Sequence, residues 1–444
     1  MTAVRSPLTL AGIAVVAMLA LLPAASASAD TVTRSIPIAA ATRVLDVTPD
    51  GSKVVSASFS NVISVLDVAT GAESTPVQIN ATVYNVRISP DGRTALVPTG
   101  DGSLWFFDMA TGAVIGTVDL GTYLFDVAFS ADGTTAYATT GGPDIVVVDV
   151  ANRTESSRLL LPGSVTYGLA LAADGSGLFT TDINMHTVFK VDLVSAAVSG
   201  VTIVGLVPTD VEVAADGTDI YVGSFATGSV GVVTLATAVY APIILGGTGP
   251  VNSIVLSPDD SRLYVPRGFD NQVSIVDTST NLEIAPLVTG QSANGIAFAA
   301  NGATAFVGDA DTPAVLVVAV DRPPLLAAAA PAATVGTAYS FAAGVGGSPA
   351  PAYSLTGTLP EGLTLNAGTG VISGTPTALG TSSFSITATN ALGTVTQAYA
   401  ISVGALAVLP AAGPTPAPLF VSAAALLLLG VAALRLRLRR APLS

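Results

Sequence analysis

The chain has 444 residues, half of them apolar and a tenth charged, with 44 glycines, 28 prolines, one histidine and no cysteine. Without cysteine there is neither a disulfide framework nor a thiolate metal site, and the formal net charge of −14 sets the chain against phosphate backbones, so nucleic acid is excluded as an expected partner. All 30 acidic residues lie between Asp30 and Glu361, leaving that region at about −19 by residue count, a surface that serves solubility.

Residues 1–29 carry Arg5, an apolar stretch from Leu8 to Leu22, Pro23 and the small residues Ala27-Ser28-Ala29. A basic start, a short apolar centre and an A-x-A site predict a Sec signal peptide cut before Asp30, with an uncleaved N-terminal anchor as the alternative.

Residues 30–322 are dominated by one repeat. Aligned on a turn, seven copies appear: TPDGS at Asp50, SPDGR at Asp91, SADGT at Asp132, AADGS at Asp174, AADGT at Asp216, SPDDS at Asp259 and AANGA at Asn301. The steps are 41, 41, 42, 42, 43 and 42 residues. Alternating apolar residues precede each turn, as in Val86/Ile88 and Val127/Phe129, which indicates a strand. Runs such as LWFFDM and IVVVDV follow it, and five end in Asp: Asp67, Asp108, Asp149, Asp192 and Asp277. Four strands at this period predict a seven-bladed β-propeller. Its Asp-Gly hairpins supply positive φ angles. The seventh copy runs out near Pro323 without an outer strand, while Val32–Ile38 has nothing to pair with, so this N-terminal strand is expected to complete the last blade.

The repeats resemble the YVTN-type repeats of seven-bladed propellers; Asp67-Val68-Ala69-Thr70-Gly71, Asp108-Met109-Ala110-Thr111-Gly112 and Asp277-Thr278-Ser279-Thr280-Asn281 carry the likeness. The resemblance implies the fold and spans surface-layer, lactonase-like and copper proteins. The copper relatives need many histidines, which this chain lacks.

On such a ring, the residues entering the inner strands face a central channel. Asn85, Asp126 and Asp210 stand there, with Asn252 and Asn294 one place earlier, and Asp46, Arg87 and Glu212 two positions further in. Tyr84, Tyr123 and Tyr167 add rings suited to sugars or peptides. These nine residues (the acids, Asn85, Arg87 and the tyrosines) are the candidate ligand site. The oxygens hold a cation or polar ligand, or they merely line the channel and cap strand ends. The loops after the second strands offer Phe59, Asp101, Asp182, Phe225, Arg267, Phe269, Asp270, Asp309 and Asp311. His186 falls in a loop of the fourth copy with no G-x-S-x-G beside it and reads as a plain loop residue. Trp105 reads as packing. No catalytic residue, metal site or cofactor is expected.

Beyond Pro324, Leu359-Pro360-Glu361-Gly362-Leu363, Gly370–Pro376 and Phe384–Asn390 resemble the Ig-like domain of bacterial surface proteins, which implies a small β-sandwich over 325–403. Residues 404–418 form a Pro/Ala-rich linker. It contains Leu409-Pro410-Ala411-Ala412-Gly413, and then come an apolar run at 419–436 and a basic tail at 437–444. This ending resembles the LPxTG-type sorting signal of Gram-positive wall proteins, with Ala412 in the place of Thr. The run predicts a transmembrane helix, with its arginines on the cytoplasmic side.

The expected fold class is therefore all-β: a seven-bladed propeller, an Ig-like sandwich, a signal peptide and a C-terminal membrane helix. The expected function is a non-catalytic surface binding, adhesion or envelope protein that takes a protein or glycan on the propeller's loop face. Peptidoglycan is a partner if a sortase acts, and the membrane is one through the C-terminal helix. An extracellular lactonase- or hydrolase-like enzyme using channel carboxylates is the alternative.

Overall fold

The computed structural model describes residues 30–247, 249–290 and 292–405. Its described residues form an all-β protein with one short 3₁₀ turn, Gly268–Asp270. None of its helices is long and apolar enough to cross a membrane. The signal peptide at 1–29, the motif at 409–413 and the membrane helix at 419–436 lie outside the described residues. The chain divides into two compact units: one holds the residues up to Leu326 with Val345–Ala352 and Ala388–Val395, the other Ala327–Gly344, Tyr353–Thr387 and the residues from Thr396 on.

The first unit contains seven four-stranded antiparallel sheets, one for each copy of the repeat. In sheet 3 (the sheets are numbered by their copy of the repeat), Leu124–Phe129, Thr135–Thr140, Asp144–Asp149 and Thr154–Leu160 follow one another as first to fourth strands. Sheet 7 departs from this order. Its fourth strand is Thr31–Pro37, which pairs antiparallel with Ala314–Ala319 from Thr31↔Ala319 to Pro37↔Ala314. This is the pairing expected for the unpartnered N-terminal strand.

The turns explain the repeat. In the first, Asp50 Oδ1 accepts from Thr48 Oγ1 at 2.7 Å and from the Ser52 N–H at 3.0 Å, and the Gly51 N–H reaches the Thr48 carbonyl at 2.8 Å. Only Gly51 has positive φ (72°), not Asp50, so this is a type I turn followed by a left-handed residue rather than a two-residue I′ hairpin. In the sixth copy Asp260 takes the left-handed position at φ 55°. The second recurrent aspartate closes the next turn. Asp108 Oδ1 accepts the Thr111 N–H and hydroxyl, both at 2.8 Å, and Asp67, Asp149, Asp192 and Asp277 act in the same way. These bonds hold both sets of turn carboxylates below their usual range.

A single sheet cannot bury both of its faces, so the core lies between sheets. Val55, Ile63 and Val65 of sheet 1 pack with Ala95, Val97 and Phe107 of sheet 2. Similar clusters join each later sheet to its successor. One more joins the seventh to the first: Ile36, Ala297, Phe306 and Val315 pack with Leu45, Val47, Val54 and Leu66. The Ala300 N–H also reaches the Pro49 carbonyl at 2.9 Å. Trp105 is half-buried against the cluster between sheets 1 and 2.

The second unit has the alternation of half-buried strands. Along Gly380–Asn390 and Gly393–Gly404 its buried residues Phe384, Ile386, Tyr399, Ile401 and Val403 recur at every second position within each strand. Tyr399 lies 5.6 Å from the Phe341 ring and 5.9 Å from the Phe384 ring. The glycines of the motif are steric necessities: a Cβ on Gly362 (φ 88°) would strike the Thr375 carbonyl, and one on Gly374 would strike that of Gly362.

Candidate functional site

Five of the seven repeats place two consecutive residues, at or just before their first strand, in the lining of a common cavity of about 260 Å³, and the fourth and seventh repeats add Tyr167 and Asn294. Period-two alternation would send one of each pair away. The ladder between first and second strands slips at Thr42/Val44, Leu124/Val127, Thr166/Leu169, Pro208/Asp210 and Ala293/Gly295. Such bulges re-aim side chains. In sheets 2 and 6 the inner ladder is only Arg87–Ile88 and Val255–Leu256, which leaves residues 84–85 and 252–253 outside it.

The result is a cup with one rim residue from every repeat: Arg43, Tyr84, Phe125, Tyr167, Thr209, Asn252 and Asn294, each seven positions before its turn residue. The rim is two-sided. Repeats one to four supply a cation and three rings, repeats five to seven a hydroxyl and two amides. Phe125 stacks on Tyr167 at 4.5 Å and meets Tyr84 edge-on at 4.9 Å. The Arg43 guanidinium sits 5.2 Å from the Tyr84 ring and 6.0 Å from that of Phe59. Below the rim lie Val44, Asn85, Asp126, Asp210 and Ser253.

The acids under the rim have a repeated structural task. Asp126 accepts the Val127 N–H at 2.8 Å and, across to the next repeat, the Leu169 N–H at 3.0 Å. Asp210 does the same with Val211 at 2.9 Å and Ile254 at 2.8 Å, and Asp46 with Val47 at 2.8 Å and Ile88 at 2.7 Å. Each carboxylate thus clamps two adjacent sheets. Asn85 donates to Asp126 at 2.5 Å.

The price of that clamp is desolvation. Burial raises Asp46 and Asp126, though Arg87 and the N–H groups oppose it. Asp210 is pushed up to about 7, first by burial and then by Asp126. Glu212 is pushed up to about 8, by burial and then by Asp210. Arg87, among these four acids, is held firmly cationic by their charges against the cost of burial.

Of the expected site residues, Tyr84, Asn85, Asp126, Tyr167 and Asp210 line the cup. Asp46, Arg87 and Glu212 are not among its lining residues; they stand four positions before their turns, one step further along the strands. Tyr123 does not line it either. It is 58% exposed and lies over Gly100 and Gly141. Of the second loop set only Phe59 lines the cup. Asp182 is spent on the N–H groups of Ser164, Val165, Asn184 and Met185, Asp309 on those of Asp311 and Thr312, and buried Arg267 pairs with Asp270 at 3.2 Å. His186, at φ 53°, accepts the Val207 N–H through Nδ1 at 3.2 Å and holds its loop. Among the described residues, no group of three or more His, Asp or Glu side chains is placed to hold a metal ion. Arg43, Phe125 and Thr209 were missed by alternation. Counting back a fixed seven positions from each turn would have found them.

The family described as "Putative Ig domain" matches residues 322–404. No curated protein matches the chain. Among solved structures, a chain of Kuenenia stuttgartiensis hydrazine synthase is similar, with a TM-score of 0.56 and 17% identity over 63% of this chain and 96% of that one. At that identity the likeness concerns the fold, a strand-rich β architecture, and nothing of the chemistry.

Proposed function

We propose that this chain is a non-catalytic binding protein of the bacterial surface, in which the seven sheets close as a seven-bladed propeller of YVTN-type repeats and present the cup to a protein or glycan ligand. Closure is supported by the apolar cluster shared by sheets 7 and 1 and by the N-terminal strand within sheet 7. The observation that carries the binding reading is the rim itself: at one position of an otherwise repetitive frame, seven repeats place five different residue types, a cation, three rings, a hydroxyl and two amides. Asp46, Asp126 and Asp210 already spend both oxygens on backbone N–H groups, which disfavours them as general bases.

A second reading has one specific support. Glu212, lifted to about 8, holds a proton at neutral pH beside Arg87, as a general acid of a hydrolase would. Thermal shift and turnover, read together on the full chain with glycans, peptides and lactones, separate the two. Ligand stabilisation without turnover, lost in the Tyr84→Ala/Asn252→Ala double variant, is the expected result. Turnover abolished by Glu212→Gln overturns it.

Surface display rests on the sequence of residues 1–29 and 409–444. We propose export through the Sec route and anchoring by sortase at Leu409–Gly413 or by the helix at 419–436. Mass spectrometry of cell-wall digests is expected to yield a peptide ending at Ala412 joined to cross-bridge material; an intact tail in the membrane fraction excludes the sortase step.

A further inference from the structure

We infer that the cup takes one neutral pyranose ring, the terminal sugar of a glycan; the inference rests on the binding reading above. Three features converge on this class. First comes size. At about 260 Å³ the cavity falls below the roughly 300–1,000 Å³ of pockets that hold drug-sized ligands, so it admits a single ring and not an extended peptide. The second is its two-sidedness. A pyranose has an apolar C–H face and a rim of hydroxyls that both donate and accept. The Phe125/Tyr167 stack offers the flat apolar wall. In the same lining, Asn252, Ser253 and Asn294 make no side-chain hydrogen bond with any described residue. An amide donates and accepts at once, as does a hydroxyl, which suits them to sugar hydroxyls of either role.

The third feature is charge, which is of both signs in the cup and so selects for neither: the Arg43 guanidinium stands over Tyr84 and Phe59, and Asp126 and Asp210 line the same cavity. The oxygens of the two acids retain lone pairs for hydroxyl donors after accepting the backbone N–H groups. A neutral polyhydroxylated ring can use these groups without a net charge of its own.

Saturation-transfer NMR on the purified full chain tests this with methyl glucopyranoside, galactopyranoside and mannopyranoside, and with uridine and adenosine as flat neutral rings of another class. The expected result is saturation of ring C–H protons in at least one pyranoside. Affinity should fall at least tenfold in Tyr167→Ala and in Asn294→Ala, and stay unchanged in Tyr123→Ala, whose ring lies outside the cup. Melting curves check that Asn294→Ala, a rim amide with no protein partner, retains the fold. The inference is overturned if no pyranoside receives saturation, or if binding survives both rim substitutions. Saturation of the nucleosides alone also overturns it, yet leaves the cup a binding site. Failure of every ligand class to shift the melting temperature would instead defeat the binding reading itself.

Discussion

Deleting residues 30–38 is expected to lower the melting temperature by about 15 °C or more, or to abolish the cooperative transition. The strand Thr31–Pro37 is the fourth strand of sheet 7, and without it Ala314–Ala319 becomes a bare apolar edge. Ile36 and Ile38 leave the cluster that joins sheet 7 to sheet 1, at about 1.5–3 kcal/mol for each side chain. Asp30 adds a buried polar knot: its carboxylate accepts from Arg262 at 3.1 Å, from the Tyr264 hydroxyl at 2.8 Å and from the Asp321 N–H at 2.8 Å. Removing one partner of a buried ion pair costs about 3–5 kcal/mol. The sum is comparable with the whole net stability of a domain, about 5–15 kcal/mol, and each kcal/mol moves the midpoint of a large domain by about 2–4 °C. Calorimetry of the deletion, with Asp30→Ala and Ile36→Asp as smaller steps towards it, measures this. A synthetic peptide of residues 30–40 added to the deleted chain should restore part of the loss. A deletion that melts within two or three degrees of the parent would mean that the sheets do not depend on their first strand.

How far the sequence reaches is clear from individual positions. Asp91 and Asp108 were legible because their work is local: each closes a turn with residues two or three places away, so the motif contains its own partners. Thr31–Pro37 was legible by subtraction, since one copy lacked a strand and one strand lacked a copy. The acids of the inner positions were found, and capping of strand ends was one of the two tasks expected of them, but their partners in the next repeat were not. Asp126 bonds to Leu169, 43 residues on, and that separation carries no local signal. Phe125 was hidden for a different reason. Alternation places it opposite Asp126, and only the slip between Leu124 and Val127 turns both side chains towards one cavity. Tyr123 failed in the converse way, being near the rim in sequence and outside it in space. A bulge is a tertiary fact written in no single residue, so the frame and much of the lining could be read, but Arg43, Phe125 and Thr209 could not.

The same buried acids set how the protein responds to pH, and Glu212→Gln should raise the urea midpoint far more at pH 9 than at pH 5. Glu212 rises from an ordinary 4.5 to about 8 in the fold, and Asp210 from 3.8 to about 7. Between those limits the folded state holds protons that the unfolded state has released, so stability falls as pH rises through the window. The fall starts above about 4 and is complete above about 8. One pK unit corresponds to about 1.4 kcal/mol; the partial solvent exposure of Glu212 reduces the full sum to a few kcal/mol. Gln stays neutral throughout and removes its share of the slope. The turn aspartates act in the opposite sense: their lowered values contribute stability that disappears as pH falls below the ordinary carboxylate range. A stability maximum near pH 5 follows from the two slopes. Arg87→Met removes the one charge that restrains Asp210 and Glu212, so it should steepen the alkaline loss. Urea titrations of the parent and both variants at pH 5, 7 and 9 decide it. Parallel curves for parent and Glu212→Gln would place the proton elsewhere and overturn this electrostatic account of the buried acids.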